Sequence, residues 1–292
     1  MKQTYSEPPK DGREALQRLR DTLDAGGCIF GAGAGIGLSA KFLEKGGADL
    51  LVTYNSGRFR MQGRGSLAGM MPYGDANGIV LELANEILPI VEHTPVLAGV
   101  MASDPMRSIP RFLRHLASLG FVGVQNFPTV GLIDVDSLYR RNLEETGMGY
   151  DTEVDMIREA VQLGLLTTPY AFNVDEARRM AEVGADVVVA HMGLTTSGSI
   201  GAQSSKTLDD CVKETQAIAD AARAVKPDVI VLVHGGPVAA PEDAQYVLSR
   251  TRGVQGFYGA SSAERLPVEK ALFEHTQKFK QVGLSTTKQE GS

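Results

Sequence analysis

The sequence is poor in several features that define other classes of protein. It has two cysteines, Cys28 and Cys211, whose wide separation predicts neither a disulfide framework nor a clustered zinc site. Thirteen prolines in 292 residues exclude a proline-rich chain, and a net charge of −6 argues against a nucleic-acid-binding surface. The longest apolar runs are strand-sized, and residues 1–16 lack the apolar core of a signal peptide. These absences favour a cytoplasmic globular protein that binds neither membranes nor nucleic acids.

The sequence contains a βα pattern that recurs along the chain. Most of its eight apolar, β-branched runs are continuous, which is typical of parallel strands buried on both faces. The runs span 27–33, 49–55, 96–102, 121–127, 165–172, 186–193, 229–235 and 254–261. Every interval between them is long enough for a helical crossover. We therefore predict an α/β protein with a single (β/α)8 TIM barrel, and an open doubly wound sheet is the competing fold.

Residues outside the eight repeats predict additions to this barrel. Residues 13–25 form an amphipathic pattern before the first strand, which predicts an extra helix covering the barrel bottom. We expect an N-terminal extension with this helix over 1–26, the barrel over 27–282 and a frayed tail over 283–292.

Capping signals divide the pattern into helices. Thr152, Asn173 and Thr207 each precede an acidic residue by three positions, as in a capping box. Glycines near the helix ends predict positions of positive φ that stop a helix before the next strand. These are Gly46, Gly120, Gly164, Gly184 and Gly253.

The segments between repeats differ in length, which bears on function. The longest follow strands 2, 4 and 6, near 56–77, 128–151 and 194–206. Barrel active sites form at the carboxyl ends of the strands, from the loops that follow them. Long loops at this end predict a binding site with covering segments.

The first strand runs into a glycine-rich segment that includes Gly31 and Gly33. A dinucleotide fingerprint would need its glycines after the strand and an acid at the end of strand 2, where Asn55 stands instead. We therefore expect no nucleotide cofactor. The glycines indicate either a close backbone approach to a ligand or a turn that needs positive φ.

Residues 55–77 contain Arg58, Arg60 and Arg64 among glycines, with few compensating acids. Arginine suits bidentate capture of a carboxylate or phosphate, so we predict that Arg58 and Arg64 bind an anion here. A solvated, partner-facing loop is the alternative. Asn55 and Asn126, at the ends of strands 2 and 4, are further polar candidates for this site.

Strands 7 and 8 also end in segments that suit anion binding. Gly235 and Gly236 follow strand 7, and Ser261 and Ser262 follow strand 8. Loops at these two positions often hold phosphate groups in barrels through exposed amides and hydroxyl groups. We predict a phosphate-binding role for all four residues.

Few residues offer acid–base chemistry at this end of the barrel. His191 and His234 end adjacent strands, and we predict that one or both transfer a proton or bind the anion. The alternative is a structural role, because a shift of one residue in register would turn either ring into the wall. Asp104 is the one carboxylate at a strand end, so any Mg²⁺ site there would be weak.

The chain resembles the phosphoenolpyruvate hydrolase-like proteins, also called TIM-barrel signal-transduction proteins. The resemblance rests on GAGAGIGLSAKFLEKGGADLLVTYNSGRFRMQGRGSLAGMMPYGDAN over 31–77, GVQNFPTVGLIDVD over 123–136, AHMGLTTSGSIGA over 190–202 and HGGPVAAPED over 234–243. The family is similar to the C-terminal domain of plant tobamovirus-resistance proteins. Its fold is grouped with the phosphoenolpyruvate mutase/isocitrate lyase barrels, which cleave small 2-oxo acids, usually with Mg²⁺. The acidic Mg²⁺ ligands of that wider group are reduced here to Asp104, with Asn126 on strand 4.

The resemblance implies a hydrolase that converts phosphonopyruvate or phosphoenolpyruvate to pyruvate and phosphate. His191 or His234 would move a proton, Asp104 would position water or Mg²⁺, and the glycines, serines and arginines would bind the small anionic substrate. A non-catalytic barrel that senses a small anion is the second hypothesis. A lyase that forms a Schiff base is the third, although no predicted strand carries a lysine. Assembly into a homo-oligomer through the outer helices is also implied.

Overall fold

The computed structural model describes residues 5–203 and 206–283. Nine strand segments form one parallel sheet, in the order β5-β4-β3-β2-β1-β9-β8-β7-β6. The strands are β1 (Ile29–Gly33), β2 (Leu50–Thr53), β3 (Val96–Gly99), β4 (Gly123–Gln125), β5 (Leu166–Thr167), β6 (Tyr170–Ala171), β7 (Val187–His191), β8 (Ile230–His234) and β9 (Gly256–Gly259).

The two strands at the ends of this order are halves of one predicted strand, 165–172, interrupted at Thr168 and Pro169. The amide of Thr168 donates to the carbonyl of Val124 in β4 at 3.0 Å, and the carbonyl of Pro169 accepts from Val189 of β7 at 2.8 Å. The sheet therefore closes on itself, and the predicted eight-stranded TIM barrel is confirmed. The break was not predicted, and it falls where proline removes a backbone donor.

Helices surround the barrel, and the first is the predicted extra helix. They are α1 (Gly12–Asp24), α2 (Gly37–Lys45), α3 (Asn55–Met61), α4 (Ala76–Ile87), α5 (Ile109–Leu119), α6 (Leu138–Glu145), α7 (Tyr150–Gln162), α8 (Val174–Glu182), α9 (Leu208–Val225), α10 (Pro241–Leu248) and α11 (Arg265–Lys280). None of the helices within 5–203 and 206–283 has an apolar stretch that could cross a membrane. Of the predicted frayed tail, 283–292, residues 284–292 lie outside the described residues.

The apolar core has two layers, as alternation along buried strands requires. Leu50, Val52 and Leu232 fill the barrel interior. Leu51 and Val231 belong to the layer between the strands and the helices. Because the strands are buried on both faces, the polar side chains at their carboxyl ends stand out as candidates for function.

The capping predictions are confirmed at Asn173, which accepts from the amide of Glu176, and at Thr207, which forms a capping box. The prediction at Thr152 is wrong, because α7 begins at Tyr150. Gly46 is also wrong, since its φ is −72° and the positive φ belongs to Gly47. The other four stop glycines have positive φ, as predicted.

The segment 55–77 is not the loop that its glycines indicated. Residues 55–61 form α3, and Ser66–Met70 form a 3-10 turn. A Cβ on Gly35 would lie 2.1 Å from the carbonyl oxygen of Gly57, so two glycines let α3 lie directly against the segment after β1. This long-range contact has no local sequence signal, which explains the wrong prediction.

Candidate active site at the barrel mouth

A small cavity of about 30 Å³ lies among the segments that follow the strand ends. Side chains that follow several different strands line this cavity, as expected for the active end of a barrel. Its lining residues are Tyr54, Ser56, Arg60, Ser66, Phe127, Leu132, Tyr170, His191, Gly193, Leu194, Thr195, His234, Ala260 and Ser261. The structure thus brings together three predicted site residues: His191, His234 and Ser261.

His191 and His234 are paired in register at the ends of β7 and β8. Their ring centroids are 4.6 Å apart, and the ring of Tyr170 lies within 5 Å of both, at 4.7 Å and 4.9 Å. Both side chains are buried. The predicted register is therefore confirmed: the rings turn towards the mouth and not into the wall.

The two rings differ in how their Nδ1 atoms are used. Nδ1 of His191 accepts a hydrogen bond from the amide of Gly193 at 3.0 Å. Nδ1 of His234 lies 2.5 Å from the carbonyl oxygen of Tyr258, to which it can only donate. In the neutral state His191 therefore carries its proton on Nε2, whereas Nε2 of His234 is a free acceptor.

Burial keeps both histidines neutral. It lowers the pKa of His191 well below its usual value, and the neighbouring His234 lowers it further. Burial lowers the pKa of His234 to about 4, although its hydrogen bond to Tyr258 opposes this. At neutral pH the site therefore presents one Nε2–H donor and one Nε2 acceptor side by side.

Arg60 supplies the positive charge of the cavity. It is buried and pairs with Glu264, with Nη2 3.3 Å from Oε2. Its Nη1 lies 3.4 Å from Oγ of Ser56, and its Nε has no hydrogen-bond partner among the described residues. Glu264 also accepts from the amide of Gly35 at 2.7 Å. Because Arg60 lines the cavity, its guanidinium is the candidate group for binding an anion there.

Two hydroxyl groups lie beside this charge. Oγ of Ser66 and Oγ of Ser261 are 3.2 Å apart, and both residues line the cavity. They come from the 3-10 turn after α3 and from the end of β9. Ser262 does not line the cavity. Of the two serines predicted to hold an anion, only Ser261 is therefore placed to do so directly.

Gly235 and Gly236, predicted to bind phosphate, lie outside the cavity lining and form a turn after β8. Gly235 and Gly236 have φ values of +77° and +60°. The amide of Gly236 donates to the carbonyl of Gly193 at 2.7 Å, and its carbonyl accepts from Thr196 at 3.1 Å. The Gly235–Gly236 turn thus holds the segment after β7, which carries Leu194 and Thr195 over the cavity.

The two glycines of β1 make room for site residues. A Cβ on Gly31 would lie 2.6 Å from the ring of Tyr258. A Cβ on Gly33 would lie 3.0 Å from the Tyr54 hydroxyl group and 3.2 Å from Nη2 of Arg60. The close approach expected here is therefore to the side chains of the site.

Four other predicted ligands lie outside the cavity lining. Arg58 pairs with two glutamates of α4, and Arg64 is exposed. The side-chain amide of Asn55 donates to the carbonyl of Gly69, and that of Asn126 donates to Glu153. The guanidinium of the arginine-rich segment that reaches the site is that of Arg60, which α3 turns inward.

Asp104 does not face the cavity either. Its carboxylate accepts from Arg107 at 2.7 Å, from Asn77 at 2.8 Å and from the amide of Met106 at 2.8 Å. Within 5–203 and 206–283, no three His, Cys, Asp or Glu side chains come together as a metal site would need. The described lining of the cavity contains no carboxylate, so its donors do not fit Mg²⁺.

Sequence reasoning missed Ser66 and Glu264. Both become part of the site only through contacts with residues distant in the chain: Ser66 with Ser261, and Glu264 with Arg60. Glu264 had one available signal. It is an acid two residues after the Gly-Ala-Ser-Ser segment that follows the last strand, at the active end of the barrel.

Two tomato proteins are similar to this chain in sequence. The ToMV susceptible protein tm-1(GCR26) and the ToMV resistance protein Tm-1(GCR237), both from Solanum lycopersicum, are each 62% identical over 269 residues. That match covers 92% of this chain and 35% of each relative, so the chain spans about a third of their length.

Solved structures show the same fold at low identity. Oxaloacetate acetylhydrolase matches with a TM-score of 0.62 and 16% identity, covering 94% of this chain and 89% of that one. Phosphonopyruvate hydrolase, crystallised with oxalate and Mg²⁺, matches with a TM-score of 0.55 and 18% identity, covering 91% and 88%. A family model described as phosphoenolpyruvate hydrolase-like matches residues 14–282. The chain belongs to the phosphoenolpyruvate hydrolase-like family.

Proposed function

We propose that this barrel hydrolyses a small phosphono or phosphorylated 2-oxo acid, phosphonopyruvate or phosphoenolpyruvate, to pyruvate and phosphate. The observation that carries the proposal is the pair of neutral histidines with opposite tautomers beside the buried Arg60. Membership of the family and the fold shared with phosphonopyruvate hydrolase support it.

The charges of the cavity favour such a substrate. Arg60 would pair with its carboxylate or phosphoryl group, and Ser66 and Ser261 would donate hydrogen bonds to the same anion. A cavity of about 30 Å³ is smaller than this substrate, so binding needs a lining segment to move outwards, and we propose that the segment with Leu194 and Thr195 does so. Closure afterwards would exclude water other than the nucleophile.

The histidines divide the chemistry between them. Nε2 of His234 takes a proton from the water that attacks phosphorus. The bond from phosphorus to the three-carbon unit then breaks, its electrons forming the enolate of pyruvate. Nε2–H of His191 donates a hydrogen bond to the enolate oxygen, as a neutral imidazole can without losing its proton. His234 finally returns its proton to C3, which gives pyruvate and restores both rings.

The first test is pyruvate release from phosphonopyruvate and from phosphoenolpyruvate, each with Mg²⁺ and with EDTA. We expect release in proportion to protein concentration with one of the two substrates, and no loss in EDTA because the donor set does not fit Mg²⁺. Ligand-induced stabilisation without release would instead identify a non-catalytic sensor, the competing function. Release that EDTA abolishes would show that a metal acts at a site that this geometry does not reveal.

A further inference from the structure

The charges at the candidate site cancel each other. Among the described residues that line the cavity, Arg60 is the one with a permanent positive charge. Its guanidinium already pairs with Glu264, with Nη2 3.3 Å from Oε2, and the two side chains are 1% and 0% exposed. His191 and His234 are neutral, because burial lowers the pKa of each. The site therefore carries no net charge before an anion binds.

One further cation acts on the site from its edge. The pKa of His191 is lowered by burial first, then by the other histidine and by the charge of Lys206. Lys206 is exposed, pairs with Glu214 of α9 and does not belong to the described lining of the cavity. An anion in the cavity would therefore pair with Arg60, whose charge Glu264 already balances.

A bound anion needs a compensating charge at this site. A buried charge without a partner is strongly unfavourable, and here the anion would share one guanidinium with Glu264. A divalent cation could balance the anion, but the donors of the cavity lining do not fit Mg²⁺. The charge that remains is a proton, which neutralises one of the two acids that share Arg60.

Glu264 is placed to receive this proton. Its Oε1 accepts a hydrogen bond from the amide of Gly35 at 2.7 Å. Burial raises its pKa, and the charge of Arg60 opposes this rise most strongly, followed by Gly35 and the hydroxyl group of Ser39. When the guanidinium pairs with an anion, this opposition weakens and the carboxylate takes up a proton. The hydroxyl group of Ser39 can accept a hydrogen bond from the protonated acid.

We infer that the candidate site takes up one proton from solvent with each anion that it binds, and that Glu264 holds this proton. Arg60 then pairs with the anion, and Glu264 stays beside it as an uncharged acid. Release of the anion returns the proton to solvent and restores the pair of Arg60 and Glu264. The inference rests on the anion binding proposed above and adds its charge state, an anion plus a proton.

Titratable side chains from several strands face this pair. Tyr54 after β2 and Tyr170 of β6 interact with Arg60. Burial raises the pKa of Tyr170 well above its usual value, so its hydroxyl group keeps its proton. The two histidines at the ends of β7 and β8 are the groups that compete with Glu264, because a nearby anion stabilises an imidazolium. Variants of Glu264 and of the histidines distinguish these sites.

Calorimetric titration of the whole chain with oxalate tests the proton uptake. Both carboxyl groups of free oxalate are ionised above about pH 6, so each proton taken up belongs to the complex. Binding heats in buffers of different ionisation enthalpy give the number of protons. For the wild type we expect one proton per oxalate, and a dissociation constant that rises about tenfold per pH unit between about pH 7 and 8.5.

Glu264→Gln carries an uncharged amide in place of the carboxylate, and Glu86→Gln is its matched control. Glu86 accepts from the amide of Gly37 at 2.7 Å, as Glu264 does from Gly35, but its side chain is 42% exposed and outside the cavity lining. Glu264→Gln should bind oxalate without proton uptake and with one dissociation constant across this pH range. Glu86→Gln should behave as the wild type.

Unfolding measurements cover the case in which Glu264→Gln folds poorly. This variant leaves the guanidinium of Arg60 buried without a carboxylate, so oxalate should raise its unfolding midpoint more than that of the wild type. An equal or smaller rise would contradict the exchange of partners at Arg60. The wild-type titration depends on no variant.

Several results would overturn the inference. One is oxalate binding by the wild type without proton uptake, and another is no oxalate binding at any pH. Uptake that persists in Glu264→Gln and disappears in His191→Asn or His234→Asn would place the proton on a histidine instead. Pyruvate release is measured separately: release with a pH-independent KM refutes the proton coupling alone. Proton uptake without release supports the coupling and refutes the proposed reaction.

Discussion

Nδ1 of His191 accepts a backbone hydrogen bond from Gly193, whereas Nδ1 of His234 donates one to Tyr258. The two imidazoles stand side by side with centroids 4.6 Å apart, yet their free Nε2 atoms have opposite hydrogen-bonding roles. One site thus holds a donor and an acceptor at the same pH without a net charge on either ring. Such a pair suits a reaction in which one ring takes up a proton while the other donates a hydrogen bond.

Replacing His234 by asparagine separates the structural hydrogen bond of its Nδ1 from the proposed base at its Nε2. His234→Asn places an amide where Nδ1 stands, so the hydrogen bond to Tyr258 can be kept while the Nε2 base is lost. We expect kcat for pyruvate release to fall by about 10²–10⁴-fold with little change in KM. His115→Asn, on the exposed side of α5, is the control and should keep full activity. Unchanged turnover in His234→Asn would remove this residue from the chemistry.

Acid should destabilise the fold through the same histidine. Folding lowers the pKa of His234 to about 4, so between its unfolded value, near 6.5, and 4 only the unfolded chain takes up the proton. Stability from this group is complete above about pH 6.5 and is lost as pH falls towards 4, by about 3 kcal/mol in all. Urea unfolding across this range should show the loss, and it should be smaller in His234→Asn. An equal slope in both proteins would contradict the assignment.

The pair of Arg60 and Glu264 can be tested by comparing a variant that removes one charge with a variant that removes both. Glu264→Gln leaves the buried guanidinium without its carboxylate and should cost about 3–5 kcal/mol of unfolding free energy. Arg60→Met/Glu264→Leu removes both charges and should recover much of that loss. The double variant should still fail to turn over substrate, because the cation that binds the anion is gone. Full activity in a folded double variant would exclude Arg60 as the anion-binding residue.

Alanine variants of two glycines with similar φ values distinguish backbone strain from steric contact of the added Cβ. Gly235 has φ +77° and Gly63 has φ +78°, but only at Gly235 would a Cβ meet another atom, the carbonyl oxygen of Gly193 at 2.3 Å. Both alanine variants should lose about 1–2 kcal/mol from the left-handed conformation. Gly235→Ala should lose about 1–3 kcal/mol more and raise KM, because it displaces the segment that covers the cavity. Urea unfolding measures the loss of stability, and pyruvate-release kinetics measure KM. Equal stability losses in Gly235→Ala and Gly63→Ala would refute the packing role of Gly235.

The barrel could be predicted from the sequence because buried parallel strands leave continuous apolar runs that recur along the chain. The strand ends followed from the same runs, so His191 and His234 could be placed at the mouth before their contacts were known. Their opposite tautomers could not be predicted. They depend on the backbone positions of Gly193 and Tyr258, which no local pattern reports.

The arginines show where sequence reasoning fails. Arg58 and Arg64 look equivalent to Arg60 in a glycine-rich stretch, but α3 is one short helix whose sides face different neighbours. Arg60 turns towards Glu264, and Arg58 turns towards two glutamates of α4. Which guanidinium reaches the site is decided by packing between distant segments, and composition alone cannot distinguish them.

The most direct test of the account is ¹⁵N NMR of the histidine rings in the uniformly labelled protein at neutral pH. Nitrogen shifts distinguish a protonated from an unprotonated ring nitrogen, and His191→Asn and His234→Asn assign the signals. We predict two neutral rings, with the proton on Nε2 in His191 and on Nδ1 in His234, unchanged down to about pH 5 because both pKa values are lowered. Two rings with the same tautomer, or either ring charged at neutral pH, would contradict the proposed division of roles.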